Sequence, residues 1–284
     1  MQYQERTLNF SCHGSALYGI ASLPEQAGAR GVLIVVGGPQ YRVGSHRQFV
    51  QLARGLAEQG VPVMRFDYRG MGDSDGDMRD FQAVDDDLRA GVDQFFAAVP
   101  GLRDVVIWGL CDAASAALFY APGDARVSGL VLLNPWVRTT DGIARTTLKH
   151  YYRARLFDPE LWKKIVRGNF NFAAAGRSFA KLVGAASSPS RPAKDAPAAT
   201  VLSLPERMLA GMQNFQGKVL FIISGADLTA QEFLDLTAGS PKWHKLLAGP
   251  GVTRQTLEVA DHTFSRKAWK DQVVNWTGDW LQSW

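Results

Sequence analysis

The chain has 284 residues, of which 46% are hydrophobic and 20% charged, and its formal net charge is +4. This length allows one large α/β domain with an insertion, and the composition is that of an ordinary soluble globular protein. No stretch approaches about 18 uninterrupted apolar residues, which argues against a membrane-spanning helix, and no apolar signal-peptide core follows Met1. We therefore expect a cytoplasmic protein.

Predicted strands and helices alternate along most of the chain. The predicted strands span residues 5–11, 16–23, 31–36, 61–66, 103–108, 127–133, 218–223 and 253–260. The predicted helices span residues 49–57, 81–99, 113–118, 229–238 and 265–284. This alternation predicts the α/β class, with a mainly parallel, doubly wound sheet of about eight strands. Functional sites in such folds lie beyond the carboxyl ends of the strands.

The segment 138–205 interrupts this alternation, because it contains helical pieces but no convincing strand. We expect a helical cap, ending in a linker rich in Pro, Ser and Ala, inserted between the core segments 1–137 and 206–284. Residues 138–200 carry twelve Lys and Arg against four acids, a net charge of +8 that leaves −4 for the rest of the chain. Two interpretations remain open: a solvated basic surface, or a surface that faces an anionic ligand, partner or membrane. Nucleic acid is not expected, since no recognition motif accompanies the charge.

Aromatic side chains are frequent in and beside this segment. Trp136, Tyr151 and Trp162 are candidates to line a substrate pocket under the cap, and the alternative is that they pack the cap onto the core. A basic, aromatic cap suits a substrate with an apolar acyl part and an anionic headgroup or carrier, for instance a thioester linked to an acyl carrier.

A sharp corner between a strand and a helix is predicted at Cys111, which follows the apolar run 105–108 and precedes an Ala-rich helix. A nucleophile at such a corner has a strained backbone conformation, so the residues two before and two after it must be small. Gly109 and Ala113 meet this requirement. The usual motif is Gly-x-Ser-x-Gly, and this chain departs from it at Cys111 and at Ala113.

Three other residues near the corner or with similar chemistry are weaker candidates. If Asp112 were the nucleophile, Leu110 would occupy a position that the tight corner reserves for a small residue. Ser115 lies one helical turn further on and is expected in the core. Cys12 is expected to pack within a strand, and two cysteines do not make a disulfide framework.

Three local sequences, in their order along the chain, resemble the α/β-hydrolase superfamily. They are Val35–Pro39, Phe66–Ser74 and the corner at Cys111. Residues 37–47 together with 109–115 are most similar to the exosortase A system-associated hydrolases of the first type, a family of bacteria that make extracellular polysaccharide. The resemblance covers nearly the whole chain and implies the α/β-hydrolase fold and its catalytic plan, but no substrate.

The chain order of that plan is nucleophile, acid and histidine, which implies Cys111, Asp227 and His262. Asp227 and His262 each follow a late predicted strand. Asp261 and the acids near 232–235 compete with Asp227, and Asp261 is expected to cap its loop. In this plan His262 accepts the thiol proton, Asp227 orients the imidazole, and a thiolate–imidazolium pair forms.

An oxyanion hole built from backbone N–H groups completes the plan. The first donor is expected to be Asp112, the residue after the nucleophile. The second should come from the loop after the third strand, where Pro39 has no N–H, so that Gly38 or Gln40 must supply it.

The sequence therefore predicts a hydrolase or acyl transferase that acts on an ester or thioester through a cysteine nucleophile, with no cofactor and no metal. The competing hypothesis is a non-catalytic member of the fold that binds an acyl or glycan ligand. The complete set of Cys, Asp and His in the right order argues against it. Haloalkane or epoxide chemistry would need a carboxylate at position 111 and is set aside.

Overall fold

The core of the molecule is one eight-stranded sheet with helices on both faces. The structure, a computed structural model, describes residues 2–38, 40–137 and 202–284. The strands are β1 (Tyr3–Cys12), β2 (Ser15–Pro24), β3 (Arg30–Val35), β4 (Val63–Phe66), β5 (Asp104–Leu110), β6 (Val127–Leu133), β7 (Lys218–Ser224) and β8 (Val252–Leu257). The helices are α1 (Gln48–Glu58), α2 (Asp85–Ala98), α3 (Asp112–Tyr120), α4 (Leu204–Asn214), α5 (Leu228–Ala238), α6 (Pro241–Leu247) and α7 (Lys267–Gln282).

The strand order is β1-β2-β4-β3-β5-β6-β7-β8, and every pair from β4 onward is parallel. Only β2 breaks this direction, since it runs antiparallel to both β1 and β4. The predicted α/β class and mainly parallel sheet of eight strands are thus confirmed. Because the parallel strands share one direction, the loops after β3, β5, β7 and β8 all leave from the same edge of the sheet.

The central strands are buried on both faces, as expected for parallel strands covered by helices. In β3, Leu33 and Val35 belong to one apolar cluster, whereas Val32 and Ile34 belong to the cluster on the other face. The continuous apolar runs that predicted these strands are therefore a consequence of burial on two sides.

Several predicted boundaries were wrong, each for a local reason. Helix α2 begins at Asp85, because a separate 3-10 turn over Phe81–Ala83 precedes it. Helices α4 and α6 were not predicted, although Ser203 and Glu206 form a capping box at the start of α4. Strand β8 ends at Leu257, three residues before the predicted end.

Residues 138–201 lie outside the described part of the chain, and the predicted cap falls almost entirely on them. Helix α4 follows and packs on α3 so closely that a Cβ on Gly211 would lie 2.3 Å from the Leu118 carbonyl oxygen. Among the helices that the structure describes, none has the length and apolar character needed to span a membrane.

Candidate active site

The corner between β5 and α3 has the strained geometry that the sequence predicts for a nucleophile. Cys111 has φ 66° and ψ −124°, a conformation that residues other than glycine rarely adopt. A Cβ on Gly109 would lie 2.6 Å from the carbonyl carbon of Ala113, so a larger residue at 109 would collide with the start of the helix. The small residue two positions before Cys111 is therefore a steric requirement.

Backbone hydrogen bonds hold Cys111 in this conformation. Its N–H donates to the carbonyl oxygen of Leu133 at the end of β6, at 2.9 Å. Its own carbonyl oxygen accepts from the N–H groups of Ala114 and Trp136, each at 3.1 Å. The strained conformation of Cys111 is thus fixed by the end of the neighbouring strand β6 and the residues after it, as well as by α3.

Asp227 and His262 meet beside this corner, as their positions after β7 and β8 predicted. His262 Nδ1–H donates to Asp227 Oδ2 at 2.7 Å. The Asp227 carboxylate also caps α5, accepting from the N–H groups of Thr229 at 3.2 Å and Ala230 at 3.1 Å. These bonds fix the carboxylate, which in turn fixes the orientation of the imidazole.

The imidazole of His262 also lies close enough to Cys111 for the two side chains to interact. Burial acts to lower the pKa of His262, but the interactions with Asp227 and Cys111 outweigh it and raise the pKa from 6.5 to about 10. Near neutral pH the imidazole is therefore held in its protonated form.

Asn134 supports this arrangement and was missed by the sequence analysis. It is fully buried at the end of β6, and its amide Nδ2 donates to Ser224 Oγ at 2.7 Å and to the His262 carbonyl oxygen at 3.1 Å. Its Oδ1 accepts from the Ser224 N–H at 2.9 Å. The signal was available, because a polar Asn-Pro pair directly follows an apolar strand.

The side chain of Asp112 lies in the region expected for the oxyanion. Its carboxylate accepts from the Gly38 N–H, at 2.8 Å to Oδ1 and 2.9 Å to Oδ2, and from the Ala113 N–H at 2.9 Å. Burial raises the pKa of this carboxyl above its usual value, although the N–H groups of Gly38, Ala113 and Asp112 itself act to lower it. The Gly38 N–H therefore points at the side chain of Asp112, the residue next to Cys111. The Gln40 side chain makes a different contact: its Oε1 accepts from the Ser45 N–H at 3.1 Å.

The competing residues have other roles in the structure. Asp261 accepts from the N–H and the hydroxyl of Ser265, which confirms its predicted function as a loop cap. Ser115 is buried and donates to the Trp136 carbonyl oxygen at 2.7 Å. Cys12 is buried, as expected. Trp136 therefore lies beside the corner, whereas Pro39, Tyr151 and Trp162 lie outside the described residues.

A buried carboxylate organises the neighbouring loops, and the sequence analysis did not identify it. Asp67, at the end of β4, accepts from the N–H groups of Arg42 at 2.6 Å and Asp73 at 3.2 Å, and it pairs with the Arg42 guanidinium. Gly72 has φ 54°, and a Cβ there would lie 2.3 Å from Asp67 Oδ2. Position 72 therefore requires glycine, which lets the turn after β4 close against the Asp67 carboxylate.

No group of three His, Cys, Asp or Glu side chains within residues 2–38, 40–137 and 202–284 is arranged to hold a metal ion. The geometry offers a thiol, an imidazole and a carboxylate in sequence, and the Gly38 N–H points at Asp112, the residue after the thiol. Such a set can perform nucleophilic attack on a carbonyl group.

Comparisons with known proteins agree with this architecture. An esterase of Pyrococcus furiosus superposes with a TM-score of 0.66 at 15% identity, covering 99% of this chain and 92% of that one. A serine hydrolase without a lid from Xanthomonas campestris gives 0.59 at 16% identity, covering 100% and 96%. Est1E of Butyrivibrio proteoclasticus, solved with ferulic acid, gives 0.61 at 16%, covering 97% and 98%. At these identities the likeness shows the fold alone.

The sequence itself decides the family. No curated protein matches the chain. The family model described as "Alpha/beta hydrolase family" matches residues 32–276, which include the Cys111 corner, Asp227 and His262. The chain therefore belongs to the alpha/beta hydrolase family.

Proposed function

We propose that the protein is a hydrolase of esters or thioesters that uses Cys111 as nucleophile, His262 as base and Asp227 as the orienting acid. The observation that carries the proposal is an ordered series of three side chains, in which Asp227 bonds His262 and His262 lies beside Cys111. Membership of the family and the strained corner at Cys111 support it. Binding of an acyl ligand alone would not need this ordered series.

The reaction follows from these positions. The Cys111 thiolate attacks the carbonyl carbon, and the carbonyl electrons move to the oxygen, which becomes an oxyanion. When the intermediate collapses, the leaving alkoxide or thiolate takes a proton from the His262 imidazolium, and an acyl thioester remains on Cys111. Neutral His262 then takes a proton from water, which attacks the acyl group and releases the carboxylic acid.

Acyl transfer is the same chemistry with a different second partner. If an alcohol, thiol or amine replaces water, the acyl group moves to that acceptor instead of being hydrolysed. The proposed oxyanion donors are the N–H groups of Asp112 and Gly38. Gly38 is favoured over Gln40 because its N–H already points at an anion beside Cys111.

The finer substrate assignment rests on the sequence. The basic, aromatic segment 138–205, with Tyr151 and Trp162, favours an apolar acyl group on an anionic carrier or headgroup, including an acyl carrier or a membrane surface. The resemblance to exosortase-associated hydrolases connects this activity with bacterial extracellular polysaccharide, in a cytoplasmic enzyme. Trp136 is the proposed pocket residue nearest to the corner.

The test compares Cys111→Ala with Cys12→Ala, the matched removal of the other thiol. Turnover is measured on a panel of p-nitrophenyl esters and acyl thioesters, and labelling by iodoacetamide is mapped by mass spectrometry. We expect Cys111→Ala to lower kcat/KM by at least about 10⁴-fold, as for loss of a nucleophile in related triads. We expect Cys12→Ala to stay active. Turnover that survives in Cys111→Ala would sink the proposal, because another group would then be the nucleophile. Absence of both turnover and acylation in wild type would favour a binding protein.

A further inference from the structure

The oxyanion hole of the proposed enzyme already contains an anion, the side chain of Asp112. Oδ1 lies 2.8 Å and Oδ2 2.9 Å from the Gly38 nitrogen, and Oδ1 is 2.9 Å from the Ala113 nitrogen. The Gly38 N–H, one of the two groups assigned to the oxyanion, is therefore directed at this carboxylate.

This contact is more than a local helix cap. An aspartate at the first position of α3 could be satisfied by the Ala113 N–H alone. The bond to Gly38 instead joins residues 74 positions apart and crosses from the loop after β3 to the loop after β5. A Cβ on Gly37 would lie 2.3 Å from Asp112 Oδ1 and 2.6 Å from the Leu110 carbonyl oxygen, so position 37 leaves just enough room for the carboxylate.

Within the described residues, no cationic side chain compensates the carboxylate. In the described part of the chain no Lys or Arg forms an ion pair with Asp112, in contrast to Asp67 and Asp87, which pair with Arg42 and Arg69. Its described stabilisation therefore comes from the N–H groups of Gly38 and Ala113. A substrate oxyanion needs the Gly38 donor as well, and two anions cannot both take it.

We propose that the Asp112 side chain is an internal competitor for the oxyanion hole, which a substrate carbonyl must displace before Cys111 can be acylated. This inference rests on the proposed function. It makes Asp112 the residue that controls entry of the reacting carbonyl. Because an occupied hole lowers the fraction of competent molecules, removing the competitor raises the rate by the inverse of that fraction.

The experiment compares two reactions of Cys111 in the full chain. Acylation by p-nitrophenyl acetate, followed as a burst of p-nitrophenol, forms an oxyanion. Alkylation by iodoacetamide forms none, so it reports thiol reactivity without the hole. The ratio of the two rate constants is measured in wild type, Asp112→Ala and Asp112→Asn.

We expect the ratio of the acylation rate constant to the alkylation rate constant to rise at least about tenfold in Asp112→Ala. A tenfold rise corresponds to a wild-type oxyanion hole that is free in about one molecule in ten. The ratio should rise less in Asp112→Asn, because the amide oxygen of that variant still accepts from the Gly38 N–H but carries no charge. Binding of acetaldehyde, which forms a thiohemiacetal on Cys111, should tighten in the same order. The isosteric Asp112→Asn keeps the test valid if Asp112→Ala fails to fold.

A ratio and an aldehyde affinity that stay constant or fall in both variants would overturn the inference, and a fall would mean that Asp112 helps to build the hole. This failure is distinct from failure of the proposed function. If wild-type Cys111 is acylated by esters but the variants are no faster, only the inference is wrong. If Cys111 reacts with iodoacetamide but never with an ester or aldehyde in any variant, both are wrong.

Discussion

Two carboxylates near Cys111, those of Asp227 and Asp112, are stabilised in different ways. Asp227 is paired with the imidazole of His262 and also caps α5. Among the described residues, Asp112 is held by backbone N–H groups and by no cationic side chain. The first carboxylate is matched by a positive group that the proposed reaction uses, whereas the second occupies a donor that the reaction needs.

This difference separates two functions of a buried carboxylate. Asp227 raises the pKa of His262 and so keeps a proton available for the leaving group. The Asp112 carboxylate instead accepts from the N–H groups of Gly38 and Ala113. Variants on the two sides should therefore change activity in opposite directions, with loss on the Asp227 side and gain on the Asp112 side.

The largest effect in this comparison is expected for Asp227→Asn. The amide keeps the size of the side chain but can no longer stabilise the imidazolium, and it favours the wrong tautomer of His262. We expect kcat/KM on p-nitrophenyl esters to fall by about 10²–10⁴-fold, the range for this substitution in related triads. The matched control is Asp261→Asn, which removes the same negative charge from the cap of the adjacent loop. Equal losses in both variants would show that Asp227 has no special part.

A smaller effect is expected for Asn134→Ala. This substitution removes the buried amide that joins the ends of β6 and β7 to the His262 carbonyl, and it leaves the Ser224 N–H without its side-chain acceptor. We expect the free energy of unfolding to fall by about 1–3 kcal/mol, measured by urea titration. Activity should fall less than in Asp227→Asn, because the imidazole keeps its carboxylate. An unchanged stability would mean that water replaces the amide without cost.

The sequence predicted the part of the candidate site that depends on the order of residues along the chain, namely Cys111, Asp227 and His262. Cys111, Asp227 and His262 were identified because each follows a recognisable strand, and parallel strands bring their carboxyl ends to one edge. The Ala113 and Gly109 pattern likewise predicted the strained corner, since sterics at a tight turn depend on neighbours in sequence. These features are local, or follow from the direction of the strands.

The contacts of Asp112 and Asn134 could not be predicted, because they depend on residues from different strands that meet across the sheet. Nothing near Asp112 in sequence indicates that its carboxylate reaches Gly38, a contact set by the register of β3 against β5. Asn134 is similar, since its partners lie in β7 and beyond β8. Helix α6 was missed for a different reason: Ser240 and Pro241 are a standard helix start, but the segment is short.

The smallest expected effect is the pH dependence of stability that His262 contributes. Its pKa is 6.5 as a free side chain and about 10 in the folded protein, so the folded state binds the proton more tightly. The resulting contribution to the free energy of unfolding is complete below pH 6.5 and is lost as the pH rises to about 10. Its size is limited, because 32% of the side chain is exposed and solvent screens the pair.

His262→Gln isolates this contribution, because all other titrating groups are common to both proteins and cancel in the difference. We expect wild type to exceed His262→Gln most at pH 6, with a difference that shrinks steadily towards pH 10. Asp227→Asn should show a flatter profile, since the carboxylate is the stronger of the two groups that hold the proton. A difference that is constant over this range would show that the folded protein does not hold His262 protonated. Asp227 and Asp112 would then differ only in position, because neither carboxylate would hold a neighbouring group in its protonated form.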